Sequence, residues 1–517
     1  MNNKIPSRQQ RLFDLIEPFK NSKNIAFSRL SNKKTEFISY EKYYELSHLL
    51  AEKFISSGIC IGDAVGSILN NRKEWNIIDM GVVLSGAVHV SIFPTFSEEN
   101  IIHILSQSKV KVLFVSKPSI YSKILSLKDK LPNLQDIILV NNNQFYDYIP
   151  DKTSTILKDK LEGRKKNITN ESICSILYTS GSSSKPKGVP ISHTSFLIYA
   201  ESLNNTYGDF AGSNMLSFLP LCHGFERSHS YYYQAHGKQV NYIDPGPNLL
   251  QYIEQIKPTF FTIVPSILST LLRNIEVDKK EINEVFPKLQ IISSSGAQLN
   301  ESIIKFFKEK TDILLLQSYG CTECLGISAN NIHHNKPSTS GKILPYVEIK
   351  INNEGEVMVK SPTLFKNYFK IKTSAFFEGD YFKTGDLGEL DNEGYLTLKG
   401  RKNNYFKLPN GRFFDPFALE EKIKDLKSVN ECILTLQDNR LIAIINLHLE
   451  KSNELKTSEI KNHILALNRK HIDNEKISGY IITENKWSPD SGEYTHNMKQ
   501  RRSFIRDKYI NLEIEFL

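Results

Sequence analysis

Short, wholly apolar runs alternate along the chain with longer stretches in which apolar residues recur at helical spacing. From Tyr40 onward, helical patterns separate the runs Ala64 to Leu69, Val88 to Phe93, Val112 to Val115 and Ile137 to Val140. Runs this short, joined through helices, predict βαβ units and a sheet covered by helices on both faces. The pattern continues with a buried strand over Ile173 to Tyr178, a helix starting near Ser192, and a strand from Leu216 that ends at Pro220. A strand over Phe260 to Val264, a helix over Leu268 to Ile275 and strands over Leu289 to Ser293 and Ile313 to Leu316 follow. Between these, Asn141 to Lys166 is polar and irregular, which predicts a surface excursion.

The most apolar long stretch, Trp75 to Phe96, is interrupted by Asp79, His89 and Pro94 and contains Gly81 and Gly86. A helix followed by a strand explains it better than a membrane span. From Gly341 the texture changes to short alternating strands with glycine turns, at Val347 to Ile351, Glu356 to Lys360 and Tyr395 to Leu398, predicting a small β-rich subdomain. Beyond about Lys402 the chain is basic and mixes helical with strand patterns. A chain of 517 residues exceeds what one hydrophobic core usually serves, so more than one folding unit is expected.

Charge adds little to this picture. Lysine and arginine total 65 against 57 acidic residues, a net +8, which is mild for the length and gives no ground for a nucleic-acid partner. It suits anionic cofactors and a loosely held membrane surface equally. The six cysteines are scattered without the spacing of a disulfide framework, pointing to a reducing compartment. Met1 to Lys23 lacks the apolar core of a signal peptide, so a cytoplasmic protein, peripheral to a membrane at most, is expected. Cys321 and Cys324 form a Cys-x-x-Cys without a second pair, and the spacing reads as coincidence rather than as a redox or zinc site.

Candidate chemistry centres on Tyr178 to Gly188, where five Ser/Thr hydroxyls, two glycines and two lysines fall within eleven residues. Backbone N–H groups and hydroxyls of such a loop wrap phosphate oxygens while lysine supplies a point charge. The lysines precede the second glycine, so this is not a Walker loop. Thr179, Ser180, Gly181, Ser182, Ser183 and Lys187 are the phosphate candidates.

Further along, Gln317 to Glu323 carries the Tyr319 ring, the Thr322 hydroxyl and the Glu323 carboxylate, which by themselves read as a surface Tyr-Gly turn with a solvated glutamate. Gly296 lets the backbone come close to a flat ligand. Pro220 leaves His223, Glu226 and Arg227 at the carboxyl end of a strand, where ligands collect in open α/β sheets.

In this order, these segments resemble the adenylate-forming enzymes, in particular the long-chain fatty acyl-CoA synthetases. The family loop reads Thr-Ser-Gly-Thr-Thr-Gly-x-Pro-Lys-Gly, and Ser182-Ser183-Ser184 stands here for Thr-Thr-Gly. The segment Phe218 to Arg227 is similar to the family's Phe-Leu-Pro-Leu-x-His-x-Phe-Glu-Arg, which favours a fatty acyl substrate, and Gln317 to Glu323 to its Gln-x-Tyr-Gly-x-Thr-Glu. Tyr381 to Asp386 and Gly400-Arg401 match two further motifs, making Asp386 and Arg401 a ribose clamp. Tyr494 to Arg502 resembles the family tail and puts Lys499 at its adenylating lysine.

The resemblance implies an N-terminal adenylation domain over 1–401 that binds ATP and the acid, and a small mobile α+β C-terminal domain over 402–517. It implies nucleotide contacts from Gly296, Ala297, Tyr319 and Gly320, catalytic roles for Lys499, Thr322 and His223, Mg2+ at Glu323, and a hinge at Asn403. The implied reaction is ATP-dependent activation of a medium- or long-chain fatty acid through an acyl-adenylate, then transfer to CoA. Where the family has a Gly-Gly turn, this chain has Asn410-Gly411, with Phe413 at a polar position. That change keeps an acyl carrier protein open as the alternative acceptor. A non-catalytic acyl- or nucleotide-binding relative is the third reading, against which Lys499, Glu323 and Asp386 stand. Oligomeric state is not legible.

Overall fold

The computed structural model describes residues 10–517 apart from 32–33, 141–143, 180–184, 244–248, 372–373, 403–405, 408–412, 415, 427, 448–452, 470–474, 489 and 495–499. Contacts divide the chain into two compact units. The first holds Met1–Ile349, Val359–Phe382 and Asp391–Leu396, and the second Lys350–Met358, Lys383–Leu390 and Thr397–Leu517.

Two sheets organise the first unit. One has six strands in the order Asp136–Leu139, Val112–Val115, Ala64–Ile68, Val88–Ser91, Ile173–Thr179 and Lys187–Ser192. All its pairings are parallel except the last. The other has nine strands, in the order Lys342–Ile343, Leu325–Ala329, Leu314–Cys321, Ile291–Ser294, Phe260–Ile263, Asn214–Ser217, Gln239–Ile243, Ile25–Ser31 and Lys34–Ser39. Its interior is parallel and its edges antiparallel. A wholly buried strand such as Val112–Val115 is apolar throughout because helices cover both faces.

The helix Lys73–Ser85 is buried at every position and packs against a strand of each sheet, Val88–Ser91 and Ile25–Ser31. That explains why its sequence lacks an amphipathic stripe. Gly86, in the left-handed region at φ 80°, ends it. The helix His193–Tyr207 begins where expected, with the Ser192 hydroxyl accepting from the Ser195 N–H.

Three expectations need correction. The stretch 141–166, expected to be irregular, carries the helices Gln144–Tyr148 and Thr155–Asn167, the second capped by Ser154. The strand Lys187–Ser192, paired antiparallel with Ile173–Thr179, precedes the helix at His193. The strand Asn214–Ser217 stops before Phe218, short of Pro220. The pair Ile25–Ser31 and Lys34–Ser39, absent from the sequence reading, completes the edge of the larger sheet.

In the second unit, Val429–Gln437, Arg440–Leu447, Ile477–Thr483 and Glu515–Phe516 form a four-stranded sheet. Side chains alternate across it. Leu434, Ala443 and Ile445 pack with Leu419, Ile423, Ile460 and Ile464, whereas Ile433, Ile442 and Ile444 pack with Trp487, Ile505 and Tyr509. With helices Phe417–Lys424, Asn453–Asn468 and Arg502–Tyr509 the region is α+β. Among the described residues, no helix is long and apolar enough to cross a membrane.

Candidate active site

In the larger sheet, the parallel strands Asn214–Ser217, Phe260–Ile263, Ile291–Ser294 and Leu314–Cys321 are in register. Their carboxyl ends therefore bring the segment leading to His223, the turn at Gly296 and Ala297, and the Tyr319 to Glu323 segment to one edge. The Ser295 hydroxyl donates to the Ser318 carbonyl at 3.0 Å, tying two of these ends together. Gly296 sits at φ 92° and Gly296 and Ala297 are exposed. Tyr319 is 8% exposed. Gly320 has a local reason to be glycine, since a Cβ there would lie 2.1 Å from the Leu325 carbonyl oxygen.

The smaller sheet joins this edge through Gly224. A Cβ at that position would meet Leu325 at 2.8 Å and Leu177 at 3.3 Å. The start of the helix Gly224–Ala235 is therefore wedged between the strand that leads to the phosphate loop and the residue two places after Glu323. His223 caps that helix, its Nδ1 accepting from the Phe225 N–H at 3.2 Å. The neutral ring then carries its proton on Nε2.

Thr179 and Lys187, expected at phosphate, are cross-strand partners. Ser180, Gly181, Ser182 and Ser183 lie outside the described residues. Lys187 Nζ stands 5.2 Å from the Tyr368 ring centre and 4.7 Å from that of Phe376. The Tyr368 hydroxyl donates to Glu323 Oε1 at 2.7 Å, and the Phe365 N–H to the Glu323 carbonyl at 2.8 Å. One tyrosine thus touches both the lysine expected at phosphate and the carboxylate expected at metal. Sequence reasoning missed Tyr368, and no motif spacing links it to either partner.

Glu226 and Arg227, expected at the ligand edge, are instead fully buried. Neighbours on one helix, they face opposite sheets. Ser217 and Thr262 of the larger sheet bond the two Glu226 oxygens, and burial pushes this carboxyl up to about 8, so it is neutral at pH 7. Arg227 donates to Ser175 of the smaller sheet at 2.7 Å, to Tyr231 at 2.8 Å, and to Asp79. Burial pushes Asp79 up, but Arg227 and His89 outweigh it and hold the carboxyl below its ordinary value.

His89 bonds Asp79 through Nδ1 at 2.7 Å and Ser67 through Nε2 at 2.8 Å. This chain has the connectivity of a hydrolase triad. All three residues are at most 2% exposed, and the Asp79 charge is taken by Arg227, so the chain is a core network.

In the second unit, Asp386 and Arg401, expected as a ribose clamp, bond each other at 2.7 Å, and Arg401 also donates to the Thr384 carbonyl at 3.0 Å. Lys499 and Asn403 lie outside the described residues, as do Asn410 and Gly411. The flanks of the Lys499 segment are anchored. Tyr494 and Gln500 form an isolated bridge, and both donate to Glu431, at 2.7 and 2.6 Å.

A family model described as AMP-binding enzyme matches residues 19–369. The chain belongs to that family. Among curated AMP-binding relatives, a long-chain-fatty-acid–CoA ligase of Mycobacterium bovis is 24% identical over 529 residues, covering 88% of each chain. The human long-chain-fatty-acid–CoA ligase 1 is 24% identical over 583 residues, with 95% of this chain and 83% of the relative covered. A malonate–CoA ligase of Arabidopsis thaliana is 25% identical over 425 residues, covering 75% and 68%.

Solved structures agree on the fold. An anthranilate–CoA ligase in complex with anthranoyl-AMP superposes with a TM-score of 0.83 at 21% identity, covering 98% of this chain and 99% of that one. An o-succinylbenzoate–CoA synthetase from Bacillus subtilis, in complex with ATP and magnesium ion, gives 0.77 at 22% identity, covering 96% and 100%. These AMP-binding relatives are acid–CoA ligases, and they differ in the acid.

Proposed function

We propose that this chain activates a medium- or long-chain fatty acid with ATP and passes the acyl group to CoA, releasing AMP and pyrophosphate. One observation carries the acid class: a long-chain-fatty-acid–CoA ligase spans the same 88% of sequence in both directions. The malonate–CoA ligase relative, at similar identity over less of the chain, marks the acid as the point to test.

The donor set suits Mg2+ bound together with ATP. Among the described residues no group of three or more His, Cys, Asp or Glu side chains is placed to hold a metal. Mg2+ commonly takes one or two carboxylates and completes its shell with phosphate and water, and Glu323, half-buried with Oε1 fixed by Tyr368, is such a carboxylate. When bound, the ion would neutralise phosphate charge.

On this reading the hairpin loop from Thr179 to Lys187 holds the β- and γ-phosphates. Gly296, Ala297, Tyr319 and Gly320 serve the base, and Asp386 and Arg401 the ribose. Thr322 offers its hydroxyl to the α-phosphate, and Lys499 is the cation of adenylation. The acid carboxylate attacks the α-phosphorus and expels pyrophosphate, so the protein's part is positioning and charge neutralisation. The domain carrying Lys499 is taken as 402–517, pivoting at Asn403.

The test is acyl-adenylate formation trapped with hydroxylamine across a series of acids, repeated with CoA and with acyl carrier protein as acceptors. Turnover is expected to rise with chain length, each buried CH2 contributing about 0.8 kcal/mol, and CoA is expected to be acylated. Equal turnover of malonate, anthranilate or acetate would overturn the acid class. Loading of carrier protein with CoA ignored would replace the acceptor.

A further inference from the structure

The Cys321 and Cys324 sulfurs, dismissed on sequence as a coincidental spacing, lie 3.3 Å apart at the tip of the hairpin that holds Thr322 and Glu323. The Cys324 N–H bonds the Cys321 carbonyl at 3.3 Å, so the four residues form a tight turn. Ends of such a turn lie under about 7 Å apart at Cα, which overlaps the span a disulfide bridges. Cys60, Cys174, Cys222 and Cys432 are free thiols, and of these only Cys60 is exposed.

We propose that Cys321 and Cys324 form a reversible disulfide that withdraws Thr322 and Glu323 from the nucleotide, an inference that rests on the acid-activation reading above. Closing the ring requires the sulfurs to move from 3.3 Å to about 2.05 Å. The two sides differ in exposure. Cys324 is 0% exposed and its carbonyl accepts from the Thr363 hydroxyl at 2.7 Å, and Glu323 is held by Phe365 and Tyr368. Cys321 is half-buried and the more exposed of the two.

The neighbouring backbone leaves little room for that movement. Gly320 already lies against the Leu325 carbonyl, and Leu325 sits at φ 60°, a strained conformation for leucine. Strain taken up at Thr322 displaces the hydroxyl assigned to the α-phosphate. Relieved at Glu323 instead, it breaks the Tyr368 bond.

The oxidant is a hydroperoxide. The more exposed Cys321 thiolate attacks its O–O bond, giving a sulfenic acid and an alcohol, or water from hydrogen peroxide. The Cys324 sulfur then attacks the Cys321 sulfur, forming S–S, and the sulfenic hydroxyl leaves as water with the Cys324 thiol proton, the Cys321 proton having gone to the alcohol or water of the first step. Two thiols and one peroxide thus give one disulfide. Transient cytosolic disulfides are characteristically redox-sensing or catalytic.

The experiment treats the full-length reduced protein with hydrogen peroxide and follows three readouts. These are the mass of the peptide containing both cysteines, acid-dependent ATP–pyrophosphate exchange, and Mg2+–ATP affinity by calorimetry. The expected result is loss of two hydrogens from that peptide and weaker Mg2+–ATP binding. Exchange should fall by about tenfold or more, since displaced charge partners of this kind carry ~10²- to 10³-fold. All three should return on adding dithiothreitol.

Cys321→Ser and Cys324→Ala should keep reduced-state exchange and lose its peroxide sensitivity. The Cys321 variant alone suffices should the buried Cys324 substitution impair folding. The proposal is overturned if the peptide keeps its hydrogens, if the ring forms and Mg2+–ATP binding is unchanged, or if Cys321→Ser is inactivated like wild type. A reduced enzyme that binds Mg2+–ATP but shows no exchange with any acid would overturn acid activation, and peptide mass and calorimetry would still decide the ring.

Discussion

The Tyr368 hydroxyl donates a 2.7 Å hydrogen bond to Glu323 Oε1, and the same tyrosine's ring lies 5.2 Å from Lys187 Nζ. The bond sets which way the carboxylate faces, and the ring holds the ammonium without neutralising it. Tyr368→Phe keeps the ring and removes the bond. It should raise the Mg2+ needed for half-maximal ATP–pyrophosphate exchange by about tenfold, the worth of one hydrogen bond to a charged group at ~1.5 kcal/mol. Glu323→Gln should raise it further. An unchanged requirement in both variants would make Glu323 a structural residue of the hairpin.

Lys499→Ala should lose acyl-adenylate formation by about 10²- to 10³-fold, the cost of removing one preorganised charge partner. Chemically supplied acyl-adenylate should still be converted to thioester at close to the wild-type rate. Equal loss in both half-reactions would place Lys499 in folding or general substrate binding, and no loss would send the search for the adenylating cation elsewhere.

Arg227→Met should destabilise the fold by about 3–5 kcal/mol, because it leaves Asp79 charged and buried without its main partner. Adding Asp79→Asn should recover part of the loss. Urea unfolding of the three proteins measures both effects. A single-variant cost within error of zero would remove Arg227 as the tie between the helix Gly224–Ala235 and the smaller sheet.

Glu226 gives a pH signature. Its carboxyl is raised from an ordinary 4.5 to about 8 by burial, with the Ser217 and Thr262 bonds opposing. Between those values the folded chain keeps a proton that the unfolded chain has lost. This contribution to stability is therefore full below about 4.5, falls as pH rises, and is gone above about 8. Glu226→Gln keeps a neutral hydrogen-bonding group and should flatten the decline in melting temperature between about pH 4.5 and about pH 8. Identical profiles would mean that Glu226 ionises without cost.

Local chemistry made much of this protein legible in its sequence. Strands such as Val112–Val115 and Phe260–Ile263 stand where apolar runs predicted them, because a strand buried on both faces is built mainly from apolar residues. The helix expected near Ser192 starts at His193, where the Ser192 hydroxyl caps it within three residues. The order of the short motifs was enough to name the family.

Tertiary structure alone decided what depends on distant partners. Glu226 and Arg227 adjoin on a helix, where successive side chains diverge by about 100°. Which sheet each would face depended on Thr262, Ser175 and Asp79, none of them near in sequence. The strand Ile25–Ser31 required Gln239–Ile243 as its parallel neighbour, and the sequence at residue 25 carries no sign of that pairing. Tyr368 meets Glu323 across 45 residues. Periodicity reports which face of an element is apolar. What that face meets is set by chain closure over long loops, which no local pattern encodes.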